Sequence, residues 1–375
     1  MRKIQMVDLK SQYDKIKDTV NTSIQEVLDT TTYINGPEVH KFQKKLEEYL
    51  DVKHVIPCAN GTDALQIAMM GLDLKPGDEV ITADFTFAAT VEVIALLQLT
   101  PVLVDVDLVN MNISIEAIKK AITPKTKAIV PVHLFGRAAN MEAIMRIANE
   151  HNLYVIEDNA QAIGANCRFS DGTKKKAGTI GHVASTSFFP SKNLGCYGDG
   201  GAIFTNDDEL AHKIRGIVNH GMYVRYHHDV VGVNSRLDSI QAAVLNAKLP
   251  FLDAYGKARQ EAARKYSKAF EGHKNIIAPS ICDICDCHVF HQYTLRIIDG
   301  DRNGLMEHLL SKGIPCAIYY PIPLHSQKAY ADIRYKEEDF PVTNQLIKEV
   351  ISLPMHTELD DEQIKFITDS VLEYI

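Results

Sequence analysis

Leu153-Tyr154-Val155-Ile156-Glu157-Asp158-Asn159-Ala160-Gln161 decides the fold. An apolar run of strand length stops in a carboxylate and a polar turn. In an open α/β sheet such a strand ends at the edge where ligands bind. The neighbouring segments repeat the pattern in both directions. Strands are predicted over 79–83, 101–106 and 128–132, with helices over 88–99, 114–122 and 140–151. Further strands follow over 184–188 and 201–205, and a helix over 207–218. This alternation predicts an α/β fold, a mostly parallel sheet with helices on both faces.

Outside that rhythm the chain changes character. The first 50 residues read as helical, ending in 38–50, where Val39, Phe42, Leu46, Tyr49 and Leu50 follow helical spacing. Residues 30–37 before them form a polar stretch that closes in a turn signal. Another helix opens near Leu237 with Asp238 as its cap, and the helical run extends to about Phe270. It leads into a smaller C-terminal α/β domain with a strand over 291–298 and helices over 302–312 and 360–374. The division expected is 1–250 for the large domain and 251–375 for the small one.

Composition narrows the function classes. Apolar content of 46% and charged content of 23% are those of an ordinary soluble protein. A net charge of -8 argues against nucleic acid as partner, because phosphate backbones need a basic face. Seven scattered cysteines do not read as a disulfide framework. The start, Met1-Arg2-Lys3-Ile4-Gln5-Met6-Val7-Asp8, lacks the apolar core of a signal peptide. No stretch approaches the roughly 20 apolar residues of a membrane span. The expected compartment is the cytoplasm.

The chemistry begins at Ser187-Phe188-Phe189-Pro190-Ser191-Lys192-Asn193, followed by Leu194-Gly195-Cys196-Tyr197-Gly198-Asp199-Gly200-Gly201. A lone lysine among aromatic and small residues suggests an amine for Schiff-base chemistry, since desolvation favours its neutral, nucleophilic form. A solvated surface lysine is the ordinary alternative. Asp158 weighs against that alternative. A Schiff-base lysine combined with an aspartate on a pyridinium nitrogen is the pattern of pyridoxal phosphate enzymes. Asp158 would keep the ring nitrogen protonated, its competing role being a helix cap. Gln161 could reach the ring hydroxyl if the turn is helical.

A cofactor phosphate needs N–H donors at a helix N-terminus. Ala59-Asn60-Gly61-Thr62-Asp63-Ala64 supplies a small-residue turn into an apolar helix. Gly61 would allow close approach and Thr62 offers a hydroxyl, although an ordinary capped helix start reads the same way. Ser187 offers a second hydroxyl. Phe87, after a strand end, could stack on the ring; it or Phe85 could equally be core.

With these residues in hand, the chain resembles the sugar aminotransferases of the DegT/DnrJ/StrS family, fold-type I enzymes that use pyridoxal phosphate. The resemblance rests on Cys58-Ala59-Asn60-Gly61-Thr62-Asp63-Ala64, Glu157-Asp158-Asn159-Ala160-Gln161, residues 187–201, Val233-Asn234-Ser235-Arg236-Leu237-Asp238 and Tyr320-Pro321-Ile322-Pro323-Leu324-His325. It implies that Lys192 carries the cofactor and then moves the substrate proton. It implies further that Asn234 reaches the phosphate of a neighbouring subunit in a homodimer with shared sites. Tyr33, Ser191, Arg236, Tyr319 and Tyr320 would line a sugar-nucleotide site, and L-glutamate would be the amino donor. Residues 188–201, with Tyr226-His227-His228 and 232–236, look most like members that aminate a UDP-linked 3-keto-N-acetylglucosaminuronate for O-antigen or capsule sugars. A dTDP-linked 3- or 4-keto-6-deoxysugar is the alternative acceptor. A dehydratase of the same fold would carry histidine in place of Lys192.

Three other signals point elsewhere and are set aside. Cys282, Cys285, Cys287 and His288 lack the second paired knuckle of a structural metal site, so no metal is expected. His227-His228 reads as structure or phosphate positioning. Cys196 invites a desulfurase reading, but a cysteine in a glycine-rich turn is ordinarily inert.

Overall fold

A computed structural model of the protein describes residues 2–280 and 287–375. The chain opens with α1 (Leu9–Thr30), capped by the Asp8 side chain, and α2 (Pro37–Leu50), with proline in its first turn. Val39, Phe42, Leu46 and Leu50 form the buried stripe of α2, as their spacing predicts.

The central sheet is built from β1 (His54–Cys58), β2 (Glu79–Ala83), β3 (Thr100–Val104), β4 (Thr126–Val130) and β5 (Tyr154–Asp158). A short hairpin, β6 (Asn166–Arg168) and β7 (Lys174–Lys176), precedes its last members, β8 (Val183–Ser187) and β9 (Gly201–Thr205). The strand order is β1-β9-β8-β5-β4-β2-β3. From β8 to β3 all neighbours are parallel, while β9 runs antiparallel to both β8 and β1. The expected α/β architecture with a mostly parallel sheet is therefore present. Val155 and Ile156 are fully buried and point into separate cores on opposite faces. That is the period-2 alternation of a central strand covered on both sides.

Winding reverses between β2 and β4, and at such a reversal a crevice opens beyond the carboxyl ends of the strands. Those ends place Phe87 after β2, Asp158 on β5 and Ser187 on β8 along one edge. Beyond the sheet, β10 (Met222–Val224) and β11 (His227–His228) form an exposed ribbon. A second, three-stranded antiparallel sheet combines β12 (Ile276–Ile277), β13 (Tyr293–Ile297) and β14 (Val350–Leu353). Tyr266, Tyr293, Leu295, Leu309, Ile351 and Ile367 pack its core, and Ile4 joins it from the opposite end of the chain. Among the described residues no helix is long and apolar enough to cross a membrane.

Several local expectations need correction. Asp238 stands at the cap position of the helix Ser239–Lys248, but its side chain makes no capping bond; its backbone instead bridges to Ile34. The turn after Asp158 is not helical, so Gln161 is placed by other contacts. The strand expected over 291–298 begins at Tyr293, which leaves His291 and Gln292 in a loop. Cys282 and Cys285 lie outside the described residues.

Candidate active site

A cleft of about 640 Å³ lies at the carboxyl edge of the sheet, closed on one side by the loop 318–321. It gathers Gly61, Thr62, Phe87, Asp158, Gln161, Ser187, Ser191, Lys192, Tyr319 and Tyr320. Tyr33, Asn234 and Arg236 are not among its lining residues. Tyr33 is 45% exposed, Asn234 is exposed, and Arg236 donates to Asn219 Oδ1 at 3.2 Å.

One end of the cleft is the N-terminus of α3 (Gly61–Gly71), where Asn60 caps by accepting from Asp63 N–H at 2.8 Å. The first N–H groups of a helix have no partner within it. The Gly61 turn is pressed against β8, so that a Cβ there would lie 2.7 Å from Ser187 Cβ. On the other side, a Cβ on Gly201 would meet the Asn60 carbonyl carbon at 2.4 Å. Two glycines therefore let the helix start and the Ser187 hydroxyl meet as one anion-binding corner.

Asp158 is 5% exposed. Thr90 donates to its Oδ2 at 2.8 Å and the Ala160 N–H to its Oδ1 at 3.1 Å. The turn-capping role and the cleft-facing role are thus combined in one carboxylate. Gln161 accepts the Phe135 N–H through Oε1 at 2.6 Å, which fixes its amide orientation. Its Nε2 donates to the Tyr320 hydroxyl at 3.2 Å. Tyr320 is clamped by aromatic rings, with Phe135 at 6.5 Å, Phe85 at 6.1 Å and Phe87 at 6.2 Å. Burial pushes its phenol well up, so it stays protonated. Of the two phenylalanines after β2, Phe85 is 1% exposed and core, whereas Phe87 is 57% exposed at the cleft. The loop that carries them is anchored by Asp84, whose carboxylate meets His325 Nδ1 at 2.7 Å. This gives the end of the 320–325 motif a structural task.

Lys192 is partly exposed on the cleft wall and its amine makes no hydrogen bond among the described residues. Desolvation lowers it to about 8, against the upward pull of the Asp158 charge. Close to neutrality a substantial fraction of such an amine is unprotonated and nucleophilic.

His291, Gln292 and Thr86 also line the cleft and escaped the sequence reading. Burial, with the Lys192 and Arg259 charges, holds His291 neutral. The signal for these residues was faint, because His291 and Gln292 read as the first residues of a strand and Thr86 sits between two aromatics. Cys196 is buried, bonded to the Phe188 and Gly198 carbonyls, and pushed up to about 11 by burial. It is no thiolate nucleophile.

This donor set fits pyridoxal phosphate. The glycine-lined corner has the donors for a phosphate, the amine the chemistry for an aldehyde, and Asp158 an oxygen for a protonated ring nitrogen. Comparison with known proteins agrees. UDP-2-acetamido-2-deoxy-3-oxo-D-glucuronate aminotransferase of Pseudomonas aeruginosa is 47% identical over 364 residues, covering 97% of this chain and 98% of that protein. UDP-N-acetyl-3-dehydro-alpha-D-glucosamine 3-aminotransferase of Acidithiobacillus ferrooxidans is 44% identical over 361 residues, covering 96% and 95%. The structure of NtdA from Bacillus subtilis, with PMP bound, superposes with a TM-score of 0.92 at 29% identity, covering 100% of this chain and 85% of that one. Residues 14–372 match the DegT/DnrJ/EryC1/StrS family description. The protein is an aminotransferase whose cofactor is pyridoxal 5'-phosphate. With motifs, sheet topology and cleft in agreement, the chain belongs to the DegT/DnrJ/EryC1/StrS aminotransferase family.

Proposed function

We propose that the enzyme transfers an amino group from L-glutamate to a nucleotide-linked keto-sugar, namely UDP-linked 3-keto-N-acetylglucosaminuronate. It works as a cytoplasmic homodimer and supplies amino sugars for O-antigen or capsule. The observation that carries this reading is one cleft holding a desolvated Lys192 beside Asp158 and a phosphate corner. The Pseudomonas relative, whose name specifies that sugar, supports the choice of acceptor.

Pyridoxal phosphate, when bound, supplies an electron sink for the substrate carbon next to nitrogen. The N-terminus of α3, with Gly61 and Thr62, and the Ser187 hydroxyl would hold its phosphate. Phe87 would cover the ring, Asp158 would accept the ring N–H, and Gln161 Nε2 would donate to the ring oxygen. Lys192 Nζ would take the proton from the substrate carbon and deliver it to the aldehyde carbon of the cofactor, on the far side of the nitrogen. Desolvation lowers its amine to about 8, so a neutral, proton-accepting form is within reach near neutral pH.

Ser191, Tyr319 and Tyr320 present hydroxyls to the sugar. Tyr33, Asn234 and Arg236 are not among the residues that line this cleft, and we assign them to the neighbouring subunit's site. Arg236 suits a uronate or diphosphate because its fork binds such anions bidentately.

The holoprotein provides the test. Glutamate is expected to remove its visible absorption band, and UDP-3-keto-N-acetylglucosaminuronate to restore it. Restoration by a dTDP-linked 4-keto-6-deoxysugar alone would refute the acceptor. A band unmoved by glutamate or any other amino acid would refute the transamination itself.

A further inference from the structure

Asp158 would lose most of its hydration in this wall, since only 5% of the residue is exposed. A desolvated carboxylate drifts toward its neutral form unless donors replace the lost water. Two groups do so here, the Ala160 N–H on Oδ1 at 3.1 Å and the Thr90 hydroxyl on Oδ2 at 2.8 Å.

Thr90 belongs to the helix Ala89–Leu96, which follows Phe87, and is 1% exposed. Nothing in its own helix explains the residue. A threonine in a helix commonly turns its hydroxyl back to the carbonyl four residues earlier. This one reaches instead across 68 positions of sequence to the carboxylate on β5. A hydroxyl that donates to one oxygen favours the ionised carboxylate over the acid. An ionised carboxylate has about four acceptor sites, so two protein donors leave capacity on the side that lines the cleft.

We propose that Thr90 is a positioning residue. Its hydroxyl fixes one oxygen of Asp158 and keeps the carboxylate turned to the cleft, where it would hold the hydrogen on the cofactor's ring nitrogen. The assignment rests on the reading of Asp158 as the partner of that nitrogen. Without the hydroxyl, the carboxylate keeps one protein donor instead of two and would hold the hydrogen on the ring nitrogen less firmly. A ring with a less protonated nitrogen withdraws fewer electrons from the substrate carbon, and Lys192 then removes its proton more slowly.

Thr90→Val, Thr90→Ser and Asp158→Asn, each as holoenzyme, test this. Two readouts matter: steady-state kinetics, and the ¹⁵N NMR signal of enzyme reconstituted with ring-labelled pyridoxal phosphate. Thr90→Val is expected to lower kcat about 10- to 100-fold, as expected for a lost hydrogen bond to a charged group. KM for the sugar nucleotide is expected to stay within about twofold. The ¹⁵N signal is expected to move toward that of unprotonated nitrogen, and Thr90→Ser to restore both signal and rate. If Thr90→Val fails to fold, Thr90→Ala against Thr90→Ser carries the same contrast. A valine or alanine variant with wild-type rate and ¹⁵N signal overturns the Thr90 assignment, while a crippled Asp158→Asn beside it leaves the Asp158 reading intact. An Asp158→Asn enzyme matching wild type overturns both.

Discussion

Two pairs of residues, matched in chemistry, lie on opposite sides of one boundary. Lys192 and Lys248 are both amines that burial lowers to about 8. Glu157 and Asp158 are consecutive carboxylates on the same strand. Lys248 is 1% exposed, donates to the Gly195 carbonyl at 2.6 Å and lies 5.5 Å from the Tyr197 ring centre. Glu157 accepts four bonds, from His133 Nε2 and the N–H groups of Gly178, Ile180 and Gly181. Burial alone would raise its carboxyl, but the His133 bond and charge and the N–H donors outweigh it and hold the group below its ordinary value. In both packed residues the protein consumes the polar end. Lys192 and Asp158 keep theirs turned to the cleft. A perturbed pKa therefore does not separate chemistry from architecture in this molecule. Unspent hydrogen-bonding capacity facing a cavity does.

The contrast breaks most visibly at the lysines. Lys192→Ala is expected to lower turnover by about 10⁴-fold or more, whereas Lys248→Met should keep it within about tenfold, because Lys248 meets the Gly195 carbonyl and the Tyr197 ring, neither of which lines the cleft. Steady-state assays on folded variants decide it. Equal losses would erase the distinction.

The carboxylates come next. Asp158→Asn is expected to cost about 10²- to 10³-fold in kcat with the fold unchanged. Glu157→Gln is expected to cost about 3 kcal/mol of stability, read by denaturant unfolding, with near-normal turnover per folded molecule. The sign with pH follows from its depressed carboxyl. The contribution of Glu157 is present above its ordinary value of 4.5 and lost as pH falls through the folded value. The stability gap between wild type and Glu157→Gln is expected to narrow in acid.

A tenfold rise in the KM of the sugar nucleotide, with kcat nearly kept, is about what Arg236→Ala is expected to give. Mixing Arg236→Ala with Lys192→Ala subunits sharpens the point. If Arg236 serves the neighbouring subunit, mixed dimers hold one fully competent site and recover activity.

The smallest effect is a midpoint. Capture of cofactor by apoprotein is expected to accelerate as pH rises through about 8, as the Lys192 ammonium gives up its proton. In Asp158→Asn the midpoint is expected to move down, since the carboxylate charge is what holds the amine up.

Much of this was legible in the chain itself. The apolar run of β5 and the βα spacing determine the sheet, because buried parallel strands need continuous apolar residues. Lys192, Asp158 and the Gly61 turn stood out for local reasons of composition. What was not legible is long-range. β1 breaks its pattern with Pro57 at a sheet edge, and β7 is three consecutive lysines, so neither shows strand propensity. Gln161 takes its orientation from Phe135, and Asp158 takes a donor from Thr90; spacing along the chain encodes neither contact. The absence of Tyr33, Asn234 and Arg236 from the cleft likewise needed coordinates.

Borohydride reduction of the holoprotein followed by peptide mass spectrometry puts the two lysines in direct competition. The phosphopyridoxyl mass is expected on the peptide containing Lys192 and nowhere else. Its appearance on Lys248, or its absence from both, would contradict the role assigned to the cleft.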